Sequence, residues 1–363
     1  MRNEKHTKLF IPGPTEVKPE ILDEMANWII GHRSNAFKEL YADIIPKLQK
    51  LLYTEQQIFL STSSATGIWE AAIRNCVSKK CLHVCQGAFS DKWASVTKAC
   101  GKDSEIIKFE WGKAIDDDVL KEIDEKLATG EFDALAVVHN ETSTGVMNDL
   151  EKISEVVKKY SEVMFLVDAV SSMSGVKIEV DKLGIDVILA SVQKAFALPP
   201  GFAVCVVSQK AMEKSATAEN KGYYFDFIAW KKYADKNQTA VTPSIPHLYA
   251  LNKQLDRISE EGLDNRFDRH KKMKAIVLDW IKANQFELFA QRGFESITLT
   301  TVKNNKGINV GELNKKLEEK FNMTLSNGYG DLKEKTFRIS HMGDYTEDDI
   351  KELLSNVDEI LNE

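Results

Sequence analysis

A lysine at position 194 follows a short apolar segment, and this placement is the clearest chemical signal in the sequence. Residues 187–190 form a continuous apolar run that predicts a buried strand, and Ser191, Val192 and Gln193 separate this run from Lys194. Burial disfavours a charged ammonium group and lowers its pKa. A lysine with a lowered pKa is partly neutral and can act as a nucleophile or a base. We therefore expect Lys194 to be catalytic.

A carboxylate occupies an equivalent position after a second predicted strand. Residues 164–167 form another apolar run, and Asp168 stands at its carboxyl end. The carboxyl ends of parallel strands meet at one edge of an open sheet, where ligands bind, so Asp168 and Lys194 should emerge together. Pyridoxal phosphate (PLP) requires both groups, a lysine that forms a Schiff base with it and a carboxylate that faces its pyridinium nitrogen. The pair predicts PLP as cofactor.

Short motifs accompany this pair in a specific order and spacing along the chain. They are PGPT at 12–15, GHRS at 31–34, the segment 64–66, ETSTG at 141–145, VDAVSS at 167–172, SVQKA at 191–195 and RISHMG at 338–343. Together they resemble the class V aminotransferases, a family of fold-type-I PLP enzymes. The resemblance covers nearly the whole chain and is strongest for the branch of alanine:glyoxylate, serine:pyruvate and serine:glyoxylate aminotransferases.

The resemblance implies roles for further residues around the lysine. It implies that Ser64, Ala65 and Thr66, in a Ser/Thr-rich turn, and Gln193 contact the cofactor phosphate. It also implies that the Phe89 ring stacks on the pyridine and that the Ser143 hydroxyl contacts the phenolic oxygen. Thr242 is implied to reach the phosphate of the facing subunit. A strand-to-helix turn also suits a phosphate on physical grounds, although the same Ser/Thr pattern is typical of an ordinary helix N-cap.

An arginine far along the chain completes the implied site. Arg338 lies in the predicted strand TFRIS, and the resemblance assigns to it the substrate carboxylate. A planar guanidinium group suits this role because it pairs with a carboxylate through two hydrogen bonds. The expected substrates therefore carry an α-carboxylate.

Composition excludes several classes of protein. The net charge of −7, without a basic stripe, argues against nucleic-acid binding. No apolar run approaches the roughly 20 residues that span a bilayer, and the first ten residues lack the apolar core of a signal peptide, so a cytoplasmic location is expected. The five cysteines predict reduced, buried thiols. The seven histidines show no zinc-binding spacing, and no metal site is expected.

The pattern of elements predicts an α/β fold with two domains. Strands and helices alternate from residue 58 to residue 208, which favours a mainly parallel, seven-stranded sheet in a large PLP-binding domain. We place an N-terminal arm at residues 1–17, the large domain at 18–255 and a smaller C-terminal α/β domain at 256–363. The first helix is predicted from Pro19 with an apolar face that reaches Trp28 and Ile29. Residues 209–242 are predicted to be irregular.

The implied activity is a ping-pong aminotransferase reaction in a homodimer. The amino group of a small amino acid, such as alanine or serine, passes to glyoxylate or pyruvate. Lys194 moves the Cα proton, and Asp168 keeps the pyridine nitrogen protonated. Aspartate as donor, and a lyase or hydrolase reaction on the same fold, stay open as alternatives.

Two further alternatives fit the sequence less well. A desulfurase requires a cysteine on a mobile loop in the C-terminal part of the chain, whereas Cys205 lies in a predicted strand. A nucleotide-binding module requires a glycine-rich fingerprint after the first strand, and the sequence there is STSSATG, without GxGxxG. His32 and Arg33 in GHRS receive no role from the sequence.

Overall fold

The N-terminal segment is extended and then helical. The computed structural model describes residues 6–363, so the first five residues of the predicted arm lie outside the described residues. The described chain begins with β1 (Lys8–Phe10), α1 (Pro19–Glu24) and α2 (Asn35–Leu52). Helix α1 starts at Pro19, whose fixed φ and missing N–H suit a first turn.

The prediction that the apolar face of α1 reaches Ile29 is wrong. The helix ends at Glu24, and the Asn27 side chain donates to the Glu24 carbonyl oxygen across 3.0 Å, which satisfies a carbonyl that a longer helix would use. Trp28 and Ile29 are 95% and 63% exposed. The apolar pattern in the sequence continues to Ile29, but α1 ends at Glu24, where the Asn27 side chain caps it.

Strands and helices alternate through the centre of the chain, as predicted. In chain order these elements are β2 (Gln57–Ser61), α3 (Ala65–Cys76), β3 (Lys80–Cys85), α4 (Ala88–Ala99), β4 (Asp103–Lys108), α5 (Asp117–Ala128), β5 (Ala134–Val138), β6 (Asn140–Glu141), β7 (Val146–Met147), α6 (Leu150–Val157), β8 (Met164–Asp168), α7 (Val180–Leu183), β9 (Val187–Ser191) and β10 (Ala203–Val207). Strands β6 and β7 form a separate short hairpin.

The seven-stranded sheet has the order β2-β10-β9-β8-β5-β3-β4. Strand β10 runs antiparallel to both of its neighbours, and the remaining pairs are parallel. Every residue of β5, β8, β9 and β10 is buried, which explains why these strands are continuous apolar runs in the sequence. The predicted mainly parallel sheet is confirmed.

The prediction that residues 209–242 are irregular is wrong, because two helices form there. Helix α8 (Gln209–Thr217) begins at Ser208, whose side chain accepts from Ala211 N, and α9 (Phe227–Ala234) begins at Asp226, which caps its first turn. Each helix buries a narrow face of three side chains. The polar residues on the opposite faces obscured this periodicity in the sequence.

The C-terminal part of the chain forms a second sheet behind two long helices. The elements are α10 (Ile245–Glu261), α11 (Leu263–Ala283), β11 (Glu287–Leu288), β12 (Leu299–Lys303), α12 (Val310–Phe321), β13 (Met323–Asn327), β14 (Thr336–Ser340) and α13 (Glu347–Leu361). The five-stranded sheet has the order β1-β13-β14-β12-β11.

The N-terminal strand therefore belongs to the C-terminal sheet. Strand β1 pairs in parallel with β13, and Phe10 is fully buried against the Tyr345 ring, with centroids 4.5 Å apart. From this anchor the chain crosses to the seven-stranded sheet within a few residues. The crossing places the PGPT motif between the two sheets, beside Lys194.

Candidate active site

Lys194 lies in a tight turn between β9 and β10. The Ala197 N–H donates to the Lys194 carbonyl oxygen across 2.8 Å and closes the turn. Part of the side chain is open to a cavity, but protein surrounds the amine, and this burial lowers the Lys194 pKa to about 8. The nearby charge of Arg338 lowers the pKa further, whereas Asp168 opposes the shift. A neutral fraction of roughly one tenth therefore exists at pH 7, far more than for an exposed lysine.

The N-terminal arm packs directly on Lys194. The Lys194 Nζ donates to the Pro12 carbonyl oxygen across 2.6 Å. Thr15 holds the backbone of the turn, because its N–H donates to Gln193 O (3.0 Å) and its hydroxyl donates to Lys194 O (2.9 Å). A Cβ atom on Gly13 would lie 2.5 Å from Nζ, so glycine alone leaves room for the amine in this position. The PGPT motif is thus part of the lysine environment.

Asp168 ends strand β8, which is the parallel neighbour of β9. Its carboxylate accepts from Trp69 Nε1 across 2.8 Å and from Val170 N across 2.7 Å. Complete burial raises the Asp168 pKa to about 7, and these two hydrogen bonds oppose the shift. Sequence reasoning missed Trp69. The available signal was an aromatic residue one turn into α3, the helix that starts at the same sheet edge.

A cavity of about 130 Å³ opens at this edge of the sheet. Seven of the residues that the sequence nominated line it, namely Ser64, Ala65, Thr66, Phe89, Asp168, Gln193 and Lys194. Trp69, Asn140, Thr142 and Ser191, which the sequence did not nominate, also line it. The structure therefore brings the predicted lysine, carboxylate, aromatic ring and Ser/Thr turn into one site.

The Ser/Thr turn forms the N-terminus of helix α3. Ser64 is the N-cap residue and makes no side-chain capping hydrogen bond, which leaves its hydroxyl available to a ligand. Partial positive charge accumulates at a helix N-terminus and attracts anions. Gln193 also lines the cavity, and its Oε1 is buried without a hydrogen-bond partner among the described residues. Such an unsatisfied polar atom fits a position that a polar ligand covers.

Ser143 is placed differently from its neighbour Thr142. Ser143 is fully buried and does not line the cavity, since its hydroxyl donates to Glu141 Oε1 (2.6 Å) and accepts from Ala88 N (3.0 Å). Thr142 lines the cavity instead. The Thr142 hydroxyl shares a 2.8 Å hydrogen bond with Ser171 Oγ. The two residues are adjacent in the turn of the short β6–β7 hairpin, so the turn geometry decides which side chain lines the cavity.

Glu141 is a second buried group that sequence reasoning missed. Its carboxylate accepts from the backbone N–H groups of Phe89 (3.3 Å) and Ser90 (3.0 Å), at the first turn of α4. A Cβ atom on Gly87 would lie 2.3 Å from Glu141 Cγ, so a glycine is needed there. Glu141 thereby fixes the helix turn that carries Phe89. The available signal in the sequence was the acidic residue that begins ETSTG, because a carboxylate is a favourable partner for a helix N-terminus.

Arg338 lies in β14, at the seam between the two sheets. Its guanidinium donates to Asn327 O across 3.2 and 3.1 Å and weakly to Thr142 O across 3.4 Å. Burial lowers the Arg338 pKa to about 10, so the group stays charged at neutral pH. Within residues 6–363, Arg338 forms no ion pair with a carboxylate. A buried cation whose partners are carbonyl groups is suited to an incoming carboxylate.

Thr242 and the GHRS residues lie away from the cavity lining. Thr242 is exposed and is not among the residues that line the cavity of its own subunit. Arg33 donates to Thr239 O across 2.7 Å, and its guanidinium lies 4.9 Å from the Tyr233 ring centroid. Arg33 therefore supports the segment that leads to Thr242. The structure gives His32 no comparable contact within the described residues.

The family model of the class-V aminotransferases matches residues 9–353, which is nearly the whole chain. The chain belongs to the class-V aminotransferase family. Membership confirms the family resemblance drawn from the motifs, and it identifies the protein as an aminotransferase.

Curated relatives and solved structures agree with this family. An uncharacterized aminotransferase of Methanocaldococcus jannaschii is 39% identical over 359 residues, covering 98% of this chain and 92% of the relative. An L-aspartate–glyoxylate aminotransferase of Paracoccus denitrificans is 32% identical, covering 93% of this chain and 87% of the relative. The crystal structure of an alanine–glyoxylate aminotransferase of Nostoc sp. superposes with a TM-score of 0.93 at 28% identity, covering 99% of this chain and 96% of that one. The predicted fold-type-I architecture is thus confirmed.

Within residues 6–363, no helix is both long enough and apolar enough to cross a membrane. The same residues contain no group of three or more His, Cys, Asp or Glu side chains arranged to hold a metal ion.

Proposed function

We propose that the protein transfers the amino group of a small, uncharged amino acid to glyoxylate, with PLP as its cofactor. The observation that carries this proposal is the meeting of Asp168 and Lys194 in one cavity, with Arg338 at its rim. Family membership supports amino-group transfer. The names of the aspartate–glyoxylate and alanine–glyoxylate relatives support glyoxylate as the acceptor.

The residues of the cavity fit PLP at three points. The free N-terminus of α3, with Ser64, Ala65 and Thr66, suits the phosphate. Asp168 is a buried carboxylate whose pKa is raised to about 7, and a protonated ring nitrogen would stabilise its ionised form. Lys194, with a pKa of about 8, can react as a neutral amine. When bound, PLP supplies the electron sink that weakens the bonds at the substrate Cα and carries the amino group.

The chain's own groups divide the remaining work. Lys194 is the base that removes and returns the Cα proton, because its lowered pKa leaves part of the amine neutral near neutral pH and its side chain lines the cavity. Asp168 holds a proton at the ring nitrogen. Phe89 covers one wall of the cavity, where an aromatic side chain can stack on the ring. Arg338 binds the substrate α-carboxylate.

The cavity wall favours a small, uncharged donor. Lys194 is the only cationic side chain among the residues that line it, and the hydroxyl, amide and aromatic groups of the wall are neutral. The second carboxylate of aspartate finds no additional cation there. Alanine and serine therefore suit the cavity better, although one similar enzyme is named for aspartate.

A homodimer is part of the proposal. The exposure of Thr242, and that of the apolar side chains Trp28 and Ile29, is consistent with contact to a second copy. The family resemblance places the Thr242 hydroxyl at the phosphate of the facing subunit. Under this arrangement each complete site needs two chains, and sedimentation of the active protein should give a dimer.

A matrix of amino donors and oxo acids tests the proposed reaction. The full-length protein with added PLP is assayed with alanine, serine and aspartate against glyoxylate, and glycine formation is followed. We expect glycine from alanine or serine with a higher kcat/KM than from aspartate. A preference for aspartate would overturn the donor assignment and leave the aminotransferase family unaffected. Absence of PLP binding would overturn the cofactor assignment.

A desulfurase or another thiol-dependent reaction is less well supported. Cys205 is buried in β10, and burial raises the pKa of its thiol far above neutral pH. A thiol in that state is a poor nucleophile. The buried cysteine therefore favours amino transfer over sulfur removal.

A further inference from the structure

One buried guanidinium outside the cavity touches all three segments that position the charged site residues. Arg266 lies in the first turn of α11 and is 1% exposed. Its Nε donates to Ser174 O across 2.9 Å, and one terminal nitrogen donates to Ala195 O across 2.7 Å. The other terminal nitrogen pairs with Asp344 Oδ1 across 3.2 Å and with Glu261 Oε2 across 3.1 Å.

Each of these contacts belongs to a segment that leads to a site residue. Ser174 lies in the Asp168 loop (residues 169–176), and Ala195 directly follows Lys194 in the lysine turn (residues 192–198). Asp344 follows the strand that carries Arg338. The lysine turn and the segment after β14 also touch, since a Cβ atom on Gly343 would lie 3.1 Å from Ala197 Cβ.

The backbone of the two loops is in a conformation that needs such support. Ser174 has a φ of 72° and Ala197 a φ of 55°, and both residues are buried. Non-glycine residues pay a conformational cost in this left-handed region and keep it only where surrounding contacts impose it. Arg266 bonds the carbonyl of Ser174 and the carbonyl two residues before Ala197. The rigid guanidinium group of Arg266 therefore holds the Asp168 loop and the lysine turn at the same time.

We propose that Arg266 is a positioning residue that sets the relative placement of Asp168, Lys194 and Arg338. The inference rests on the proposed function, because those three residues are the proposed PLP and substrate groups. It assigns no contact between Arg266 and a ligand. Arg266 acts through hydrogen bonds to the Asp168 loop and the lysine turn and through its ion pair with Asp344.

Lysine cannot replace arginine in this arrangement. An ammonium group is a point charge, whereas the guanidinium fork directs donors to several acceptors in one plane. Arg266→Lys would keep the positive charge beside Asp344 and Glu261 and lose simultaneous bonding of Ser174 O and Ala195 O. Arg257 supplies a matched control, because it also pairs with Asp344 (3.4 Å) but has no hydrogen bond to either loop.

The test compares hydrogen exchange and kinetics in the full-length wild type, Arg266→Lys and Arg257→Lys. Without PLP, we expect amide exchange in residues 169–176 and 192–198 to become at least roughly tenfold faster in Arg266→Lys, with unchanged exchange in β3 and β4. With PLP, kcat should fall roughly 10- to 100-fold, because small displacements of catalytic groups are costly. Arg257→Lys should resemble the wild type in both measurements.

The outcomes separate this inference from the proposed function. Wild-type exchange in both loops of a folded Arg266→Lys protein would overturn the positioning role, and so would equal acceleration in Arg257→Lys. If Arg266→Lys does not fold, the pair Arg266→Met with Asp344→Asn removes both charges and is measured in the same way. Because exchange is recorded without cofactor, failure to bind PLP would overturn the proposed function and leave the exchange result valid.

Discussion

The amine of Lys194 lies against the backbone of Gly13, and a Cβ atom built on Gly13 would be 2.5 Å from Nζ. The two residues are far apart in sequence, and the N-terminal arm brings them together by crossing from the five-stranded sheet to the seven-stranded one. Gly13 also has a φ of 140°, which side-chain-bearing residues rarely adopt. The PGPT motif therefore shapes the space in which the lysine works.

Gly13→Ala should displace the Lys194 side chain from its present position. The added methyl group would overlap Nζ, Cδ and Cε, and the backbone strain would cost about 1 to 3 kcal/mol of stability. We expect PLP loading, measured by cofactor absorbance at a fixed PLP concentration, to decrease, and kcat to fall at least roughly tenfold. Gly31→Ala is the control, because its nearest neighbour would be Ser34 Cβ at 3.9 Å. Equal loading in the two variants would contradict the steric argument.

Thr142 and Ser143 should respond differently to loss of the hydroxyl. Thr142 lines the cavity and its hydroxyl is paired with Ser171 Oγ (2.8 Å), so Thr142→Val changes the polarity of the cavity wall and should weaken PLP binding by about 0.5 to 1.5 kcal/mol, or roughly two- to tenfold in Kd. Ser143→Ala removes a donor from the buried Glu141 carboxylate and should lower stability by about 1 to 3 kcal/mol. Fluorescence titration with PLP and thermal unfolding distinguish the two effects. The reverse pattern would support Ser143 as the cofactor contact implied by the family resemblance.

The fold was predictable because its strands carry strong local patterns. The strand predicted from the apolar run at residues 164–167 is observed at Met164–Asp168, and the one predicted from residues 187–190 is observed at Val187–Ser191. These strands are buried on both faces and therefore read as unbroken apolar runs. The adjacency of Asp168 and Lys194 follows from parallel pairing of β8 and β9, since both residues leave the same sheet edge.

The contacts that complete the site depend on tertiary packing, and local patterns do not reveal them. Trp69 reaches Asp168 only because α3 packs over β8, and a tryptophan in an amphipathic helix otherwise reads as core. Thr142 and Ser143 are adjacent and chemically similar, so the sequence alone does not show which of the two lines the cavity. Arg266 lies in a helix rich in charged residues, where nothing in the sequence distinguishes it from the exposed ones.

Asp168 should make the cofactor-free protein less stable as pH rises. Its pKa is about 7 in the folded chain and near 3.8 when exposed, so the folded state binds the proton more tightly. The stability associated with the protonated form is present below pH 4 and is lost between about pH 4 and 7. The Tm of wild type should therefore fall relative to that of Asp168→Asn over this range. A Tm difference independent of pH would show that the carboxyl does not titrate there. Lys194 and Glu141, which also face Asp168, are unchanged in the comparison.

Removal of the Arg338 guanidinium should weaken the binding of carboxylate substrates without removing PLP. Arg338 is buried, charged at neutral pH and bonded to carbonyl oxygens, so a substrate carboxylate would be its ionic partner. Leaving a buried carboxylate unpaired costs about 2 to 5 kcal/mol, and KM for amino and oxo acids should rise roughly 30-fold to several thousand-fold in Arg338→Ala. Cofactor absorbance should persist, because Arg338 does not line the cavity beside Lys194 and Asp168.

The conservative variant separates charge from geometry at this position. Arg338→Lys should recover only part of the lost affinity, since an ammonium group offers a point charge where the guanidinium offers two parallel donors. Arg292→Ala is the control, because Arg292 is exposed and forms no part of the site. KM values in Arg338→Ala that equal those of wild type would exclude Arg338 as the carboxylate-binding residue. Full recovery in Arg338→Lys would show that charge alone is needed, and the bidentate geometry would then have no role in recognition.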